Sequence, residues 1–304
     1  MTKITKVSIL AFACIALAGF SVGCGDDDNG NGGNGGTGGV GGTGGTGGTG
    51  GTGGTGGNGG TDGEGGTGGE GGGGGVVLNT VSGTVSVNPV AEAVMDAEMM
   101  NIPEVEDLTV QLVDAAKALS SDPEAVLGEA TTDADGNFTI EDVDFSGVTL
   151  GVVITVTGDG FARSTLGFCD PSSTDVALQC TDREDTIAFG VPEGFVSILE
   201  AQADDDTLLS NGFVFGVAAT SGGAGIDGVT VNVGTGDVLY LDETMAPVED
   251  GTETTASGSF IVIPTDPTSV TPEKDGTTFS PPFATVGKTA DVVFQVFFVG
   301  TEDD

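Results

Sequence analysis

Gly128-Glu129-Ala130-Thr131-Thr132-Asp133-Ala134-Asp135-Gly136-Asn137-Phe138-Thr139-Ile140 sets two short runs on either side of an Asp-Gly pair. Asp-Gly readily supplies the positive φ angles of a tight turn, so the stretch predicts a β-hairpin. Working outward, Leu108 to Val113 alternates, with Leu108, Val110 and Leu112 on one face. Thr80 to Val87 alternates with the same period of two, as a half-buried strand does. Downstream, Val148 to Thr157 is a long β-branched strand, Gly158-Asp159-Gly160 turns it, and Phe161 to Phe168 returns. Residues 88 to 104 break the alternation. Ala91 to Met100 there predicts a short helix between Pro89 and Pro103, and 115 to 127 reads as a long loop.

The same order recurs. Phe213 to Ala218 matches the Thr80 strand, with Gly216 in the place of Gly83. Ile226 to Val233 matches Val105 to Leu112, and Gly251 to Ile263 matches the Asp-Gly stretch, with Ser257-Gly258 for Asp135-Gly136. Asp291 to Val299 would close the second unit. Its Phe294, Phe297 and Phe298 read as core strand residues rather than a binding platform. Between the copies, Pro192-Glu193 followed by Phe195, Ile198, Leu199 and Gln202 gives partial helical spacing over 193–202, and Asp204-Asp205-Asp206 marks a polar break near a domain boundary.

The shared pattern is Gly-x-Val, then a strand opening on hydrophobic-Thr-Val, then Thr-x-x-Asp-Gly-x-Phe and a long strand. It resembles the carboxypeptidase regulatory-like domain. That resemblance implies a seven-stranded, transthyretin-like or immunoglobulin-like sandwich that is not itself catalytic. The first copy (about 78 to 170) fits better than the second (about 211 to 300). The expected fold is therefore all-β: two tandem antiparallel β-sandwiches after a signal peptide and a disordered Gly-rich linker. The expected spans are 1–23 signal peptide, 24–75 tether, 76–170 first sandwich, 171–210 connector and 211–304 second sandwich.

At the other end of the chain, Lys3 and Lys6 precede a mostly apolar run from Val7 to Phe20. The run is shorter than the roughly 20 residues that a spanning helix needs, and its basic start and small residues fit a signal peptide. Ser21-Val22-Gly23-Cys24 resembles the lipobox of bacterial lipoproteins, departing at Ser21, where that family usually has Leu. The resemblance implies cleavage before Cys24, a diacylglycerol thioether on Cys24 and N-acylation. Gly25 in the following position implies sorting to the outer membrane. Two or more acyl chains anchor stably where one is marginal. From Gly25 to about Gly75 the chain runs largely as Gly-Gly-Thr and Gly-Gly-Asn triplets. They bury too little apolar surface to offset ordering entropy. About 50 such residues span roughly 40 Å root-mean-square.

Composition excludes several functions. Removing the signal takes two of the 7 basic residues and none of the 46 acids, moving the formal net charge from −39 to −41. Such a surface repels nucleic acid and anionic lipid. The chain has no His and no Trp, so it lacks a catalytic imidazole and the commonest zinc ligand. A Ser-His-Asp triad is ruled out. Of four cysteines, Cys14 leaves with the signal and Cys24 takes lipid, which leaves Cys169 and Cys180 as an expected disulfide in an exported chain. Asp133, Asp135 and Asn137 offer oxygen at alternate positions, as a calcium loop begins. Phe138 resumes the strand at once, so a turn is the first reading and calcium the alternative. Asp204 to Asp206 reads as a solvated loop. No catalytic residue or cofactor is singled out. The expected function is a lipid-anchored envelope protein displaying non-catalytic modules for a protein or polysaccharide partner, or serving a structural role. The alternative is an enzyme, or an accessory subunit of one, acting on extracellular carbohydrate through carboxylates that no motif picks out.

Overall fold

Alternating strands need a second layer over their apolar face, and the first sandwich supplies it with two sheets. The computed structural model describes residues 77–119, 125–173 and 178–302. Cys24, the signal peptide and the Gly-rich span lie outside them. One sheet of the first sandwich holds β1 (Leu78–Val87) between β4 (Asn137–Asp144), antiparallel, and β7 (Arg183–Pro192), parallel. The other holds β3 (Val126–Thr131), β2 (Thr109–Asp114), β5 (Val152–Gly158) and β6 (Phe161–Cys169), all antiparallel. Val81, Val85, Leu108, Val110, Leu112, Phe138, Ile140, Ile154 and Val156 fill the core between them.

The Asp-Gly stretch does not close a hairpin ladder. β3 pairs with β2, and β4 crosses to pair with β1, so the turn carries the chain from one sheet to the other. Thr132 marks the crossing. Its Oγ1 accepts from Leu108 N–H (2.9 Å) and donates to the Val105 carbonyl (2.6 Å), which ties the end of β3 to the entry of β2. Gly136 (φ 80°) then donates to the Asp133 carbonyl, and Val85 N–H donates to the Gly136 carbonyl.

The second sandwich repeats this construction in register. Thr254 Oγ1 accepts from Val229 N–H (3.0 Å) and donates to Ile226 (2.6 Å), and Gly258 (φ 66°) donates to Thr255. Gly83 pairs with Phe138 on one side and Thr186 on the other. Gly216 of β8 (Phe213–Thr220) pairs in the same way with Phe260 of β11 (Ser259–Ile263) and Val296 of β15 (Val293–Glu302). A Cβ on Gly83 would overlap the Thr186 carbonyl, and one on Gly216 would overlap the Phe260 ring, so both positions require glycine. The copies differ in how one sheet is extended. β10 (Asp237–Tyr240) extends β11 across one sheet, whereas β3 extends β2 in the other. The remaining strands, β9 (Thr230–Val233), β12 (Thr268–Glu273) and β14 (Ala284–Val286), form a three-stranded sheet over the second core, and β13 (Thr277–Ser280) pairs with β15.

The span 171–210, expected as a connector, contains β7, a strand of the first sandwich that pairs with β1 along most of its length and with β6 at its end. Charged Arg183-Glu184-Asp185 at its start hides the alternation. Helix α3 (Glu193–Ala203) follows directly. Helix α1 (Pro89–Ala97) fills the break after β1, capped by Asn88 Oδ1, which accepts from Val90 and Ala91 N–H. Where a loop is expected from 115 to 127, Ala115–Leu119 is a short helix, α2, and β3 begins at Val126. The sheets are also mixed rather than purely antiparallel, because β1–β7, β8–β15 and β6–β15 all run parallel.

The parallel pair β6–β15 joins the two sandwiches. Val293, Phe294 and Gln295 pair with Ser164, Thr165 and Leu166, making one continuous sheet from β10 to β3. A third core forms beside this seam. Phe213, Phe215 and Val217 of β8 meet Ala91 and Met95 of α1 and Phe195, Val196 and Leu199 of α3 there. The opposite face of β8, with Val214 and Ala218, belongs to the second sandwich's core. The uninterrupted Phe-Val-Phe-Gly-Val-Ala-Ala run is that of a strand covered on both faces. The described residues accordingly fall in one compact unit.

Candidate functional site

The seam contains a buried polar cluster that sequence reading misses. Asn88 is fully buried and Gln295 is 2% exposed. Asn88 Nδ2 donates to Gln295 Oε1 at 2.7 Å, and Gln295 Nε2 donates to the Phe189 carbonyl at 2.7 Å. Ser164 Oγ donates to the same carbonyl at 3.0 Å, and Asn88 N–H donates to Gly190. β1, β6, β7 and β15 thus meet through one network whose Asn88 also caps α1. Asn88 before Pro89 is a readable cap signal. Gln295 inside a Val- and Phe-rich strand is the only other hint.

Cys169 and Cys180 form a disulfide with Cα atoms 5.1 Å apart. β6 and β7 pair only at Phe161–Pro192 and Ala162–Val191, and β7 then leaves for β1 in the other sheet. The disulfide ties the end of β6 to the approach to β7, where these strands have parted. Arg183 stacks over the Phe168 ring, 4.9 Å from its centroid, and Phe168 packs on Phe145.

Asp133, Asp135 and Asn137 lie together in the exposed turn between β3 and β4. Asp133 Oδ1 accepts from the Asp135 and Asn137 N–H groups at 3.0 and 2.8 Å, and both Asp133 oxygens approach Asn137 Nδ2. The Asn137 side chain, then its backbone, hold the Asp133 carboxyl below the usual carboxylate range. These oxygens therefore serve to shape the turn. Beside it opens a shallow groove of about 650 Å³ rimmed by Glu92, Glu104, Glu106 and Asp135. Asp205 accepts from the Thr207 hydroxyl and N–H at 2.7 and 2.9 Å, which again lowers its pKa, and Asp204 ends α3 in a left-handed conformation. Asp144 and Asp170 repeat the device with Ser146 and Ser172. Among the described residues, no three His, Cys, Asp or Glu side chains gather closely enough to hold a metal ion.

Phe298 is buried in the second core and stacks on Phe260, Phe294 packs at that core's margin, and Phe297 meets Phe189 across the seam. Tyr240 is buried, and its hydroxyl accepts from Val231 N–H at 2.8 Å, stitching β10 to β9 between the two sheets. Burial pushes its pKa up.

No protein-family model and no curated protein matches the chain. Among solved structures, it aligns with a streptococcal ancillary pilin at 11% identity and TM-score 0.24, over 74% of this chain and 69% of that one. A minor pilin of Streptococcus agalactiae aligns at 12% identity and TM-score 0.22, over 74% of this chain and 97% of that one. The Bacillus anthracis TIE protein aligns at 7% identity and TM-score 0.22, with this chain spanning only 34% of its length. Scores this low carry no functional argument, and the description of the fold rests on the sheets themselves.

Proposed function

We propose that this is an exported envelope protein, acylated at Cys24, whose residues 24–75 tether a rigid, non-catalytic head to the outer membrane. The observation that carries this reading is the seam. A shared sheet, a third core and a buried polar network turn two sandwiches into one block, which suits presentation of a fixed surface. The use of Asp133, Asp144, Asp170 and Asp205 as turn caps supports reading the acids as architecture and solubility rather than as general acids or bases. The head's partner in this reading is a protein or polysaccharide of the envelope or its surroundings.

The test is Cys24→Ser in cells fed an alkyne fatty acid. The parent protein should take up label and partition with membranes, and the variant should do neither. Equal membrane partitioning of both would sink the anchor.

A further inference from the structure

Nine large apolar side chains stand exposed among the described residues, and five of them, Val77, Leu78, Val126, Leu150 and Leu178, lie at one end of the first sandwich. Their adjacency follows from the pairing. Leu78 pairs with Asp144, and Asn79 Nδ2 donates to both the Val77 and Val143 carbonyls. Phe145, next in the chain, packs on Phe168. Cys169 pairs with Val152, two residues beyond Leu150, and Asp170 N–H donates to the Leu178 carbonyl. Gly151 accepts from Ala115, which follows β2, and Val113 near the end of β2 pairs with Val126. β1, β3, β5 and β7 start at this end, and β2, β4 and β6 finish there. The opposite end carries the Asp133 turn and the groove rimmed by Glu92, Glu104, Glu106 and Asp135.

We propose that this apolar end is a bilayer-contact surface, seated in the boundary between headgroups and acyl chains when the protein is anchored; the proposal rests on acylation of Cys24. Three observations select lipid as the occupant. First, the chain enters the head at this end, since Val77 comes just after the Gly-rich span that begins at Cys24. A tether of about 50 Gly-rich residues has a root-mean-square span of roughly 40 Å, so the end bearing the attachment is the one kept within reach of the membrane. Second, the exposed groups are aliphatic, and three carboxylates near them are engaged locally among the described residues. Asp144 holds Ser146, Asp170 holds Ser172, and Asp182 accepts from Thr80 N–H. Third, two of the few cationic side chains, Lys117 and Arg183, lie at this same end, with Lys117 close enough to Asp144 to lower its pKa. Five aliphatic side chains partition weakly on their own. The tether makes the event intramolecular, with an effective concentration set by its length. Apolar groups at such a boundary sit about 5–10 Å deep. The net charge of the chain disfavours anionic lipid, so the contact suits zwitterionic headgroups.

The chain has no Trp, so Leu150→Trp places a single reporter at this end, and Phe283→Trp, at another exposed position, is the control. Both full-length acylated variants are reconstituted in phosphatidylcholine vesicles with or without acyl chains brominated near the headgroup. Indole emission from the Leu150→Trp protein should shift to the blue and lose intensity with brominated lipid, while emission from the Phe283→Trp control stays unchanged. Sedimentation with the vesicles is scored in parallel. Leu150→Trp protein that sediments while its indole stays unquenched overturns the proposal and leaves the anchor standing. Acylated protein that does not sediment refutes the anchor, and the proposal with it. A blue shift that follows protein concentration rather than lipid assigns the surface to a second copy and overturns the bilayer.

Discussion

Gln295→Met tests whether the seam makes the head one cooperative block. The change roughly keeps side-chain volume and removes both polar ends of a residue that is 2% exposed. Asn88 Nδ2 then loses its 2.7 Å acceptor in a place without water access, and the Phe189 carbonyl keeps only Ser164. An unpaired buried donor costs about 1–3 kcal/mol, and the Phe189 carbonyl adds little because one partner remains. The expected loss is therefore about 1–3 kcal/mol. Asn88→Ala removes the same pair and also the cap of α1, which adds about 0.5–2 kcal/mol. Because both substitutions break one hydrogen bond, the double variant should be less destabilised than the sum of the two, by about 1 kcal/mol or more. Urea unfolding of the mature chain, followed by far-ultraviolet circular dichroism and by Tyr240 emission, gives these numbers. Tyr240 reports on the second sandwich and circular dichroism on both. The parent should show coincident transitions by the two probes. Separate transitions in the parent, or additive losses in the double variant, would refute the claim that the seam couples the sandwiches.

Three further outcomes follow from single positions. Gly83→Ala and Gly216→Ala should each destabilise by about 1–3 kcal/mol or more through overpacking, against the Thr186 backbone and the Phe260 ring respectively; a neutral result in thermal unfolding at either would contradict the register of the duplication. Tyr240 is the only tyrosine, so absorbance near 295 nm reports it alone. Its folded pKa is raised, so its stabilisation is present below about pH 10 and lost as pH rises above that value; a titration midpoint at or below the free-tyrosine value would contradict its burial. The four turn carboxylates, Asp133, Asp144, Asp170 and Asp205, have folded pKa values below their unfolded ones. Their contribution is present above about pH 4 and lost as pH falls below it. The thermal midpoint should drop there, less steeply in Asp133→Asn, and an unchanged slope would count against Asp133 as a turn cap.

Much of the fold is legible because period-two alternation follows from half-burial. β1 and β2 bury chiefly one face, and their Val and Leu positions show it; β5 and β6 are legible from their β-branched and aromatic residues, though neighbouring residues on both faces are buried. Two kinds of feature escape. β7 begins with Arg183-Glu184-Asp185, and the left-handed Asp185 (φ 55°) sits where its register with β1 shifts. The strand is defined by what it pairs with, which no local pattern records. The Asp-Gly stretch gives the turn but not its partner strands, because the turn bends the chain equally well into a hairpin or across a sandwich. Thr132 fastens the chain at the crossing through contacts 24 and 27 residues away. The cysteine pair is readable from export chemistry and count. The Asn88–Gln295 contact spans 207 residues and is not readable at all.

The duplication also explains why the seam occurs once. Thr186 and Val296 occupy equivalent positions, each pairing with the glycine of its sandwich. Pro192 of β7 therefore corresponds to Glu302 of β15. Phe161, which pairs with Pro192, then corresponds to Thr277, which pairs with Glu302. Carrying this register forward, Ser164-Thr165-Leu166, the edge that receives β15, corresponds to Ser280-Pro281-Pro282. Proline has no N–H to give a neighbouring strand. The second sandwich thus lacks, at this edge, the donors with which the first captures its neighbour. At the equivalent site on the first sandwich, the counterpart of Val293-Phe294-Gln295 is Arg183-Glu184-Asp185, charged and broken by the left-handed Asp185. One copy keeps a receiving edge and the other an inserting strand, while their two counterparts carry proline or charge. Edge-to-edge pairing is thereby confined to a single intramolecular seam, which guards an acidic, two-sandwich block against open-ended association through the same strands.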